Sequence, residues 1–182
     1  MKDYLKHNGK LSNKMLVKMA YDISYAIKTL WSFAKIHRDI KPSNIMFQRE
    51  SENFILLDMG LVFDLDGESL SACEVGTPMY FSPEQTTFIN RRSGMDFRSD
   101  LFSLGVVLYE MATGSYPFRE DARTRSEVLA NIVNHQPVPP KRKCANLNET
   151  LNDIILRLLA KRPALRYRSI EMFHKSLDQV KQ

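Results

Sequence analysis

The stretch IHRDIKPSNIMF, residues 36–47, decides the fold and the function expected of this chain. It places a carboxylate (Asp39), an ammonium group (Lys41) and a carboxamide (Asn44) at fixed offsets in a short polar segment, and apolar residues typical of a strand follow at once. Phosphoryl transfer needs a carboxylate to orient a hydroxyl, a cation to meet developing phosphate charge, and an amide oxygen to ligate a hard metal ion. The pattern therefore indicates a phosphoryl-transfer site.

Three further motifs follow this stretch in order. Asp58-Met59-Gly60 comes directly after a second predicted strand, residues 54–57. The stretch VGTPMYFSPE, residues 75–84, closes a polar, loop-like segment. Residues 99–111, SDLFSLGVVLYEM, are apolar nearly all round, which is typical of a helix surrounded by protein. Any one of these motifs could arise by chance, but their order and spacing together are specific.

On these motifs the chain resembles the eukaryotic-type (Hanks-type) serine/threonine protein kinases. Residues 37–44 match the H-R-D-x-K-P-x-N catalytic loop, residues 58–60 match D-F-G with methionine in place of phenylalanine, and residues 82–84 match A-P-E with serine first. Lys41-Pro42 favours the serine/threonine branch over the tyrosine branch. The resemblance covers the whole chain and implies the C-terminal lobe of a protein-kinase-like fold, mainly α-helical with a few short β-strands.

The resemblance implies a role for each matching side chain of the reaction centre. Asp39 would accept or orient the proton of a substrate hydroxyl, and Lys41 would neutralise charge on the transferring phosphoryl group. Asn44 and Asp58 would hold the magnesium ion that bridges the nucleotide phosphates, and Met46 would form the floor of the adenine pocket. The expected cofactors are therefore ATP and Mg²⁺, and the cofactor-binding residues are Lys41, Asn44, Met46 and Asp58.

Other matching residues are expected to support this centre. Thr77, which is expected to be catalytic, matches the threonine that hydrogen-bonds the catalytic aspartate and lysine. Asp100 matches an aspartate that holds the backbone of the catalytic loop by hydrogen bonds, which makes it a positioning residue. Glu84, in the A-P-E position, matches a glutamate that pairs with an arginine, here Arg166.

The segment between the D-F-G and A-P-E positions suggests regulation by phosphorylation. Ser69 and Ser71 are the candidate phosphorylation sites, and Arg38 is the usual basic partner for a phosphate added there. Ordinary loop polarity is the alternative interpretation of both serines.

His37 is expected to pack on Met59, whose flexible side chain gives a looser geometry than the phenylalanine of the family.

Helical periodicity and capping residues extend the prediction to the whole chain, residues 1–182, as one C-terminal lobe. Ser12 is placed to cap a long helix that leads into the catalytic loop, residues 36–47. We expect strands at 45–48 and 54–57, an activation segment at 58–84, a central helix at about 97–113, and C-terminal helices within about 120–182, near 125–134, 148–160 and 170–180.

Composition indicates a folded domain that binds no nucleic acid and has no membrane-spanning segment. With 182 residues, 43% hydrophobic and 26% charged, the chain can bury an adequate core. The net charge of +5 is modest, and the sequence has no basic motif interleaved with aromatic residues, so it does not indicate nucleic-acid binding. Its densest run, residues 141–143, is interpreted as a solvated loop, with a docking patch for acidic partners as the alternative. The two cysteines, Cys73 and Cys144, form no disulfide framework, which fits a reducing compartment. The sequence shows no signal peptide and no apolar run long enough to span a bilayer, so the expected location is the cytoplasm.

The motifs of the kinase small lobe do not occur in this sequence. There is no G-x-G-x-x-G, and the seven glycines are scattered. We therefore expect a large lobe without its small lobe, unless Met1 is not the true start of the protein. The predicted function is transfer of the ATP γ-phosphate to Ser or Thr hydroxyls of a protein substrate. It requires the small lobe, either in cis or replaced by a partner that covers the same surface.

Two other functions stay open from the sequence. A stand-alone lobe with weak or no catalysis could act as a protein-interaction or regulatory module, since the surface that faces the small lobe would be exposed and partly apolar. Retention of Asp39, Lys41, Asn44 and Asp58 argues against that function. Small-molecule phosphotransferases, such as the aminoglycoside kinases, share a similar catalytic loop, but residues 76–84 and the helix around residue 100 favour a protein kinase.

Overall fold

The computed structural model describes residues 1, 4–5, 9–58, 63–64, 78–87, 95–119, 122 and 124–180. Within these ranges no helix is both long enough and apolar enough to cross a bilayer. The fold is mainly α with a few short strands, as predicted. In chain order its elements are α1 (Asn13–Trp31), β1 (Lys35–Ile36), a 3₁₀ turn (Pro42–Asn44), β2 (Ile45–Gln48), β3 (Asn53–Leu56), β4 (Phe63–Asp64), a 3₁₀ turn (Pro78–Tyr80), α2 (Pro83–Thr87), α3 (Phe97–Thr113), α4 (Arg125–Asn134), α5 (Pro140–Lys143), α6 (Glu149–Leu158), a 3₁₀ turn (Pro163–Leu165) and α7 (Ile170–Leu177).

Helix α1 begins where the sequence predicts. The Ser12 side chain accepts a hydrogen bond from the Met15 amide and so satisfies one of the free amides of the first turn. One face of the helix is buried against α3 and α7, and the tie to α7 includes a 2.8 Å hydrogen bond between Ser24 Oγ and His174 Nε2. The buried positions recur at helical spacing: Leu16, Met19, Ala20, Ile23 and Ile27.

Helix α3 is the centre of the core, and its bounds coincide with the predicted 97–113. Asp96 caps its first turn by accepting from the Arg98 amide, and Gly114 ends it with a φ of 74°, a conformation that favours glycine. Nearly every side chain between these caps is buried. Gly105 lets α6 approach closely, because a Cβ there would lie 2.7 Å from Leu158 Cβ.

Two short antiparallel pairs hold the segment around residue 39. Strand β1 pairs with β4, and β2 pairs with β3 in the register Met46 opposite Ile55. The second strand of the hairpin begins one residue earlier than predicted. Because side chains alternate along a strand, Met46, Ile55 and Leu57 share one face of this hairpin, and Met46 and Leu57 are 43% and 39% exposed.

The C-terminal helices form in the predicted order, with α6 and α7 ending two or three residues early. The basic run 141–143 differs from its predicted loop, because it lies on the one-turn helix α5. Pro140 begins that turn, where its missing amide costs nothing, and it is buried beneath the run. Asn152 Oδ1 accepts from the Lys141 amide at 3.1 Å and fixes the turn on α6.

Candidate active site

Three of the predicted catalytic residues meet at one carboxylate oxygen. Asp39, which follows β1, is only 4% exposed. Lys41 Nζ lies 2.6 Å from Asp39 Oδ2, and Asn44 Nδ2 donates to the same oxygen at 3.0 Å and to the Asp39 main-chain oxygen at 3.0 Å. Because Asn44 belongs to the 3₁₀ turn that opens β2, the strand and the carboxylate are held in one geometry. The arrangement can orient a hydroxyl beside a cation.

Asn44 and Asp58 offer hard oxygen ligands that suit magnesium. Since Asn44 Nδ2 faces Asp39, its Oδ1 faces away, where Ser43 Oγ approaches to 3.5 Å. Asp58 lies two residues after the end of β3. The Leu57 amide donates to the Asn44 main-chain oxygen at 2.8 Å, so the segments that carry the two ligands are adjacent. The described residues contain no group of three or more metal-binding His, Cys, Asp or Glu side chains. Magnesium keeps several waters and needs few protein ligands, so the pair fits it.

The loop that carries Asp39 is held in a strained conformation by Asp100. Arg38 has a φ of 68° and Asp58 one of 64°, in the left-handed region that non-glycine residues rarely adopt. Asp100 of α3 accepts from the His37 amide at 2.8 Å and from the Arg38 amide at 2.9 Å. Burial raises the pKa of the Asp100 carboxyl, and the two amide donors act in the opposite direction. The two hydrogen bonds connect Asp100 to the loop, and its positioning role stays a prediction.

Asp100→Asn is expected to lower stability by about 1–3 kcal/mol, because one of the two loop amides would face an NH₂ donor and lose its bond. Phosphoryl transfer should fall with it, since Asp39 lies on that loop. Urea unfolding monitored by circular dichroism measures the first effect. Asp153→Asn, on the exposed side of α6, is the control and should leave stability within about 0.5 kcal/mol. Equal stability of the two variants would contradict the positioning role.

His37 lies fully buried beneath the loop. Its Nδ1 accepts from the Asp39 amide at 3.3 Å, which assigns the ring proton to Nε2. That Nε2 is buried and makes no hydrogen bond within the described part of the chain. The predicted packing of His37 on Met59 lies outside the described residues. So do the predicted site residue Thr77 and the candidate phosphorylation sites Ser69 and Ser71.

Glu84 and Arg166 form a buried, two-pronged ion pair. Arg166 donates from Nη1 to Glu84 Oε1 at 2.6 Å and from Nη2 to Oε2 at 2.8 Å, and the two side chains are 0% and 5% exposed. Arg166 also donates to the carbonyls of Arg98, Ala160 and Lys161, so all three of its nitrogens are used. Burial by itself raises the pKa of Glu84, but the Arg166 guanidinium outweighs it and holds the pKa below its ordinary value.

Several polar contacts that fix the segment from residue 78 to 84 were missed by sequence reasoning. Ser99 Oγ donates to Glu84 Oε1 at 2.8 Å, and Ser103 Oγ donates to the Tyr80 carbonyl at 2.7 Å. Tyr80 Oη donates to Glu110 Oε2 at 2.8 Å, which ties this segment to α3. A usable signal existed, since Ser99 and Ser103 are four residues apart on a mostly apolar helix, and this spacing places them on one face as a buried polar stripe.

Lys161 lies next to the ion pair. Its Nζ donates to the Ile132 carbonyl at 2.8 Å and lies 3.9 Å from the centre of the Phe118 ring. Burial, and then the nearby Arg166 guanidinium, lower the pKa of Lys161 to about 7. The Lys161 side chain therefore connects the end of α4 to the core, but its charged form lowers the stability of the fold because it is buried beside another cation.

The stability of the chain is expected to rise with pH between about 7 and 9.5. An unfolded lysine stays protonated up to a pKa of about 10.4, so in this window the unfolded state binds more protons and stability increases with pH. Because Lys161 is only partly buried, we expect a gain of about 1–2 kcal/mol. Urea unfolding at several pH values measures it. Lys161→Met should reduce the rise of the free energy of unfolding with pH. Lys175→Met changes an exposed lysine and is the control, which should keep that rise. An equal pH dependence in both variants would contradict the assignment to Lys161.

The chain is similar in sequence to serine/threonine-protein kinases of bacteria. A probable serine/threonine-protein kinase of Clostridium perfringens is 31% identical over 183 residues, which cover 100% of this chain and 26% of that protein. The serine/threonine-protein kinase PknB of Mycolicibacterium smegmatis is 33% identical over 184 residues, covering 99% of this chain and 28% of PknB. PknB of Mycobacterium tuberculosis is 32% identical with the same coverage. The chain thus spans about a quarter of the length of these curated relatives.

The family profile described as "Protein kinase domain" matches residues 1–177, nearly the whole chain. The motifs at residues 37–44 and 82–84, the interactions of Asp39 and the buried Glu84–Arg166 pair all lie within that match. The chain therefore belongs to the protein kinase family, in its Hanks-type serine/threonine branch.

Proposed function

We propose that the protein containing this chain transfers the γ-phosphate of ATP to serine and threonine hydroxyls of other proteins. The observation that carries the proposal is the convergence of Lys41 Nζ and Asn44 Nδ2 on Asp39 Oδ2, at 2.6 and 3.0 Å, in a carboxylate only 4% exposed. A carboxylate held in this way has the orientation that a general base requires before substrate binds. The family assignment favours a protein over an aminoglycoside as acceptor.

Each side chain of the loop has a separate task in this mechanism. Asp39 accepts or orients the proton of the attacking hydroxyl, a contribution of about 10²–10⁴ in rate for a positioned base. Lys41 keeps a positive charge beside the carboxylate, where the phosphoryl oxygens gain negative charge. Asn44 Oδ1 and Asp58 are the groups that would hold Mg²⁺, and the ion would supply charge neutralisation for the nucleotide phosphates.

The exposed face of the β2–β3 hairpin supports a nucleotide site and a covering lobe. Met46 and Leu57, 43% and 39% exposed, lie on the same face as Ile55, and the hairpin carries Asn44 and Asp58 at its end. An apolar surface beside polar phosphate-binding groups suits an adenine base. The small lobe of the kinase would cover the same face. A cytoplasmic location stays a prediction from the sequence.

An acceptor panel tests the proposed reaction. The purified protein, with γ-labelled ATP and Mg²⁺, is offered serine, threonine and tyrosine peptides that are otherwise identical, together with an aminoglycoside. We expect label on the serine and threonine peptides. Label confined to the aminoglycoside or to the tyrosine peptide would contradict the proposed acceptor class.

The same exposed hairpin face supports a second candidate function, a lobe that binds other proteins without phosphorylating them. The mass of the protein in its native cells, detected with an antibody against residues 148–180, distinguishes the two. A polypeptide clearly heavier than 21.1 kDa that contains a glycine-rich loop supports the kinase. A product of 21.1 kDa that binds a partner and transfers no phosphate supports the interaction module.

A further inference from the structure

Residues far apart in the sequence form one basic surface on the side of the lobe where α3 and α5 end. Lys10 Nζ lies 3.5 Å from the main-chain oxygen of Lys143. The side chain of Lys10 also lies along the end of α3, since a Cβ added to Gly114 would be 3.6 Å from Lys10 Cε. Lys10 therefore joins the run on α5, and together they form the basic patch: Lys10, Lys141, Arg142 and Lys143.

Backbone and amide contacts fix the two halves of the basic patch to each other. Asn13 Nδ2 donates to the Asn146 carbonyl at 3.1 Å, and Asn13 Oδ1 accepts from the Asn148 amide at 3.1 Å. The Leu11 amide donates to the Met111 carbonyl at 2.9 Å, which anchors the segment before α1 on α3. Because the backbone of the patch is already ordered, little conformational entropy is lost when a ligand binds there.

The side chains of the basic patch are accessible to a partner. Lys10 and Arg142 are exposed, and Lys141 and Lys143 are half-buried. Lys141 forms an ion pair with Glu149, but those side chains are 39% and 67% exposed, so the pair is screened by solvent and readily exchanged. Charge complementarity therefore points to a negatively charged ligand.

The surroundings of the basic patch distinguish among anionic ligands. The exposed large apolar side chains of the described residues are Tyr25, Trp31, Phe33, Met46, Leu57, Leu165 and Met172, and none lies at 9–14 or 140–149. Trp31 ends α1, about 27 Å from the start of that helix at 1.5 Å per residue. Among the described residues of these two segments, no exposed aromatic ring offers a platform for stacking bases, and no exposed large apolar side chain offers an anchor for a bilayer.

We propose that the basic patch is a docking surface for an acidic segment of a partner protein, separate from the reaction centre at Asp39. The ligand is an extended or loop segment rich in Asp and Glu, whose carboxylates pair with Lys10, Arg142 and Lys143. Docking of this kind raises the local concentration of a bound protein without a change at Asp39. It does not depend on phosphoryl transfer and can be tested by binding alone.

Binding of a fluorescent 12-residue peptide of Glu, Asp and Gly, followed by anisotropy at about 0.15 M salt, tests the proposal. The patch variant carries Lys10→Glu, Arg142→Glu and Lys143→Glu. The matched control carries Arg162→Glu, Arg168→Glu and Lys175→Glu, three exposed residues elsewhere that give the same change in net charge. We expect the patch variant to lose affinity by at least about tenfold and the control by less than about threefold.

Two further measurements keep the result interpretable. Arg142→Glu alone changes an exposed side chain with no described hydrogen bond, and it should lower affinity by about threefold with an unchanged melting temperature. Single-stranded DNA and vesicles containing phosphatidylserine are offered in place of the peptide. Equal losses in the two triple variants, no effect of Arg142→Glu, or tighter binding to DNA or vesicles than to the peptide would overturn the proposal.

Discussion

Replacing Arg166 by alanine is expected to destabilise the fold by about 3–5 kcal/mol, because it leaves the Glu84 carboxylate buried without its partner. The pair is held by two bonds of 2.6 and 2.8 Å, and both side chains are excluded from solvent. The substitution also removes the donors to the carbonyls of Arg98, Ala160 and Lys161. A loss of this size is a large share of the stability of a single domain.

Chemical unfolding in urea measures this loss, and a double-mutant cycle assigns it to the pair. Glu84→Ala should cost about as much as Arg166→Ala, and the double variant should cost much less than the sum of the two. Arg162→Ala, four residues away and exposed, is the control and should change stability by less than about 0.5 kcal/mol. Additive losses would show that Glu84 and Arg166 act independently.

Asp39→Asn is expected to lower the rate of phosphoryl transfer by about 10²–10⁴ while the fold stays intact. The amide keeps the shape of the side chain and can still accept the bond from Asn44 Nδ2, but it is a poor base and loses the ion pair with Lys41. The charge of Lys41 then remains without that carboxylate. Stability should fall only slightly, because Lys41 is 21% exposed and can be solvated.

Initial rates with saturating ATP, Mg²⁺ and a serine peptide measure the effect on transfer, and thermal unfolding measures the fold. Glu50→Gln, on the exposed turn between β2 and β3, removes a carboxylate from the same region and should leave the rate unchanged. Turnover retained within about threefold in Asp39→Asn would remove Asp39 from the role of base.

Much of the architecture could be predicted because its signals are local. Ser12 before an apolar repeat and Gly114 after one set the ends of α1 and α3, since capping depends on a few neighbouring residues. The sequence places Asp39, Lys41 and Asn44 in one short polar segment, and the six residues 39–44 cannot carry their side chains far apart. The short hairpin was predicted to within one residue.

What the sequence could not provide depends on contacts between distant segments. The run 141–143 has no helical periodicity of its own, and its turn is fixed by Asn152 and the buried Pro140. Lys10 joins that run through the packing of the segment before α1 on α3 and through the contacts of Asn13 with Asn146 and Asn148. The left-handed backbone at Arg38 likewise requires Asp100, 62 residues away, as an acceptor for its amide.

Phosphoamino-acid analysis of the protein isolated from its native cells tests the proposed function most directly. The protein is recovered with an antibody against residues 148–180, from cells that carry either the wild-type or the Asp39→Asn sequence, and is incubated with γ-labelled ATP and Mg²⁺. The proposal predicts label on serine or threonine of protein in the wild type and its loss in Asp39→Asn. Equal labelling in both, or none in the wild type although the protein is folded and bound to a partner, would contradict it.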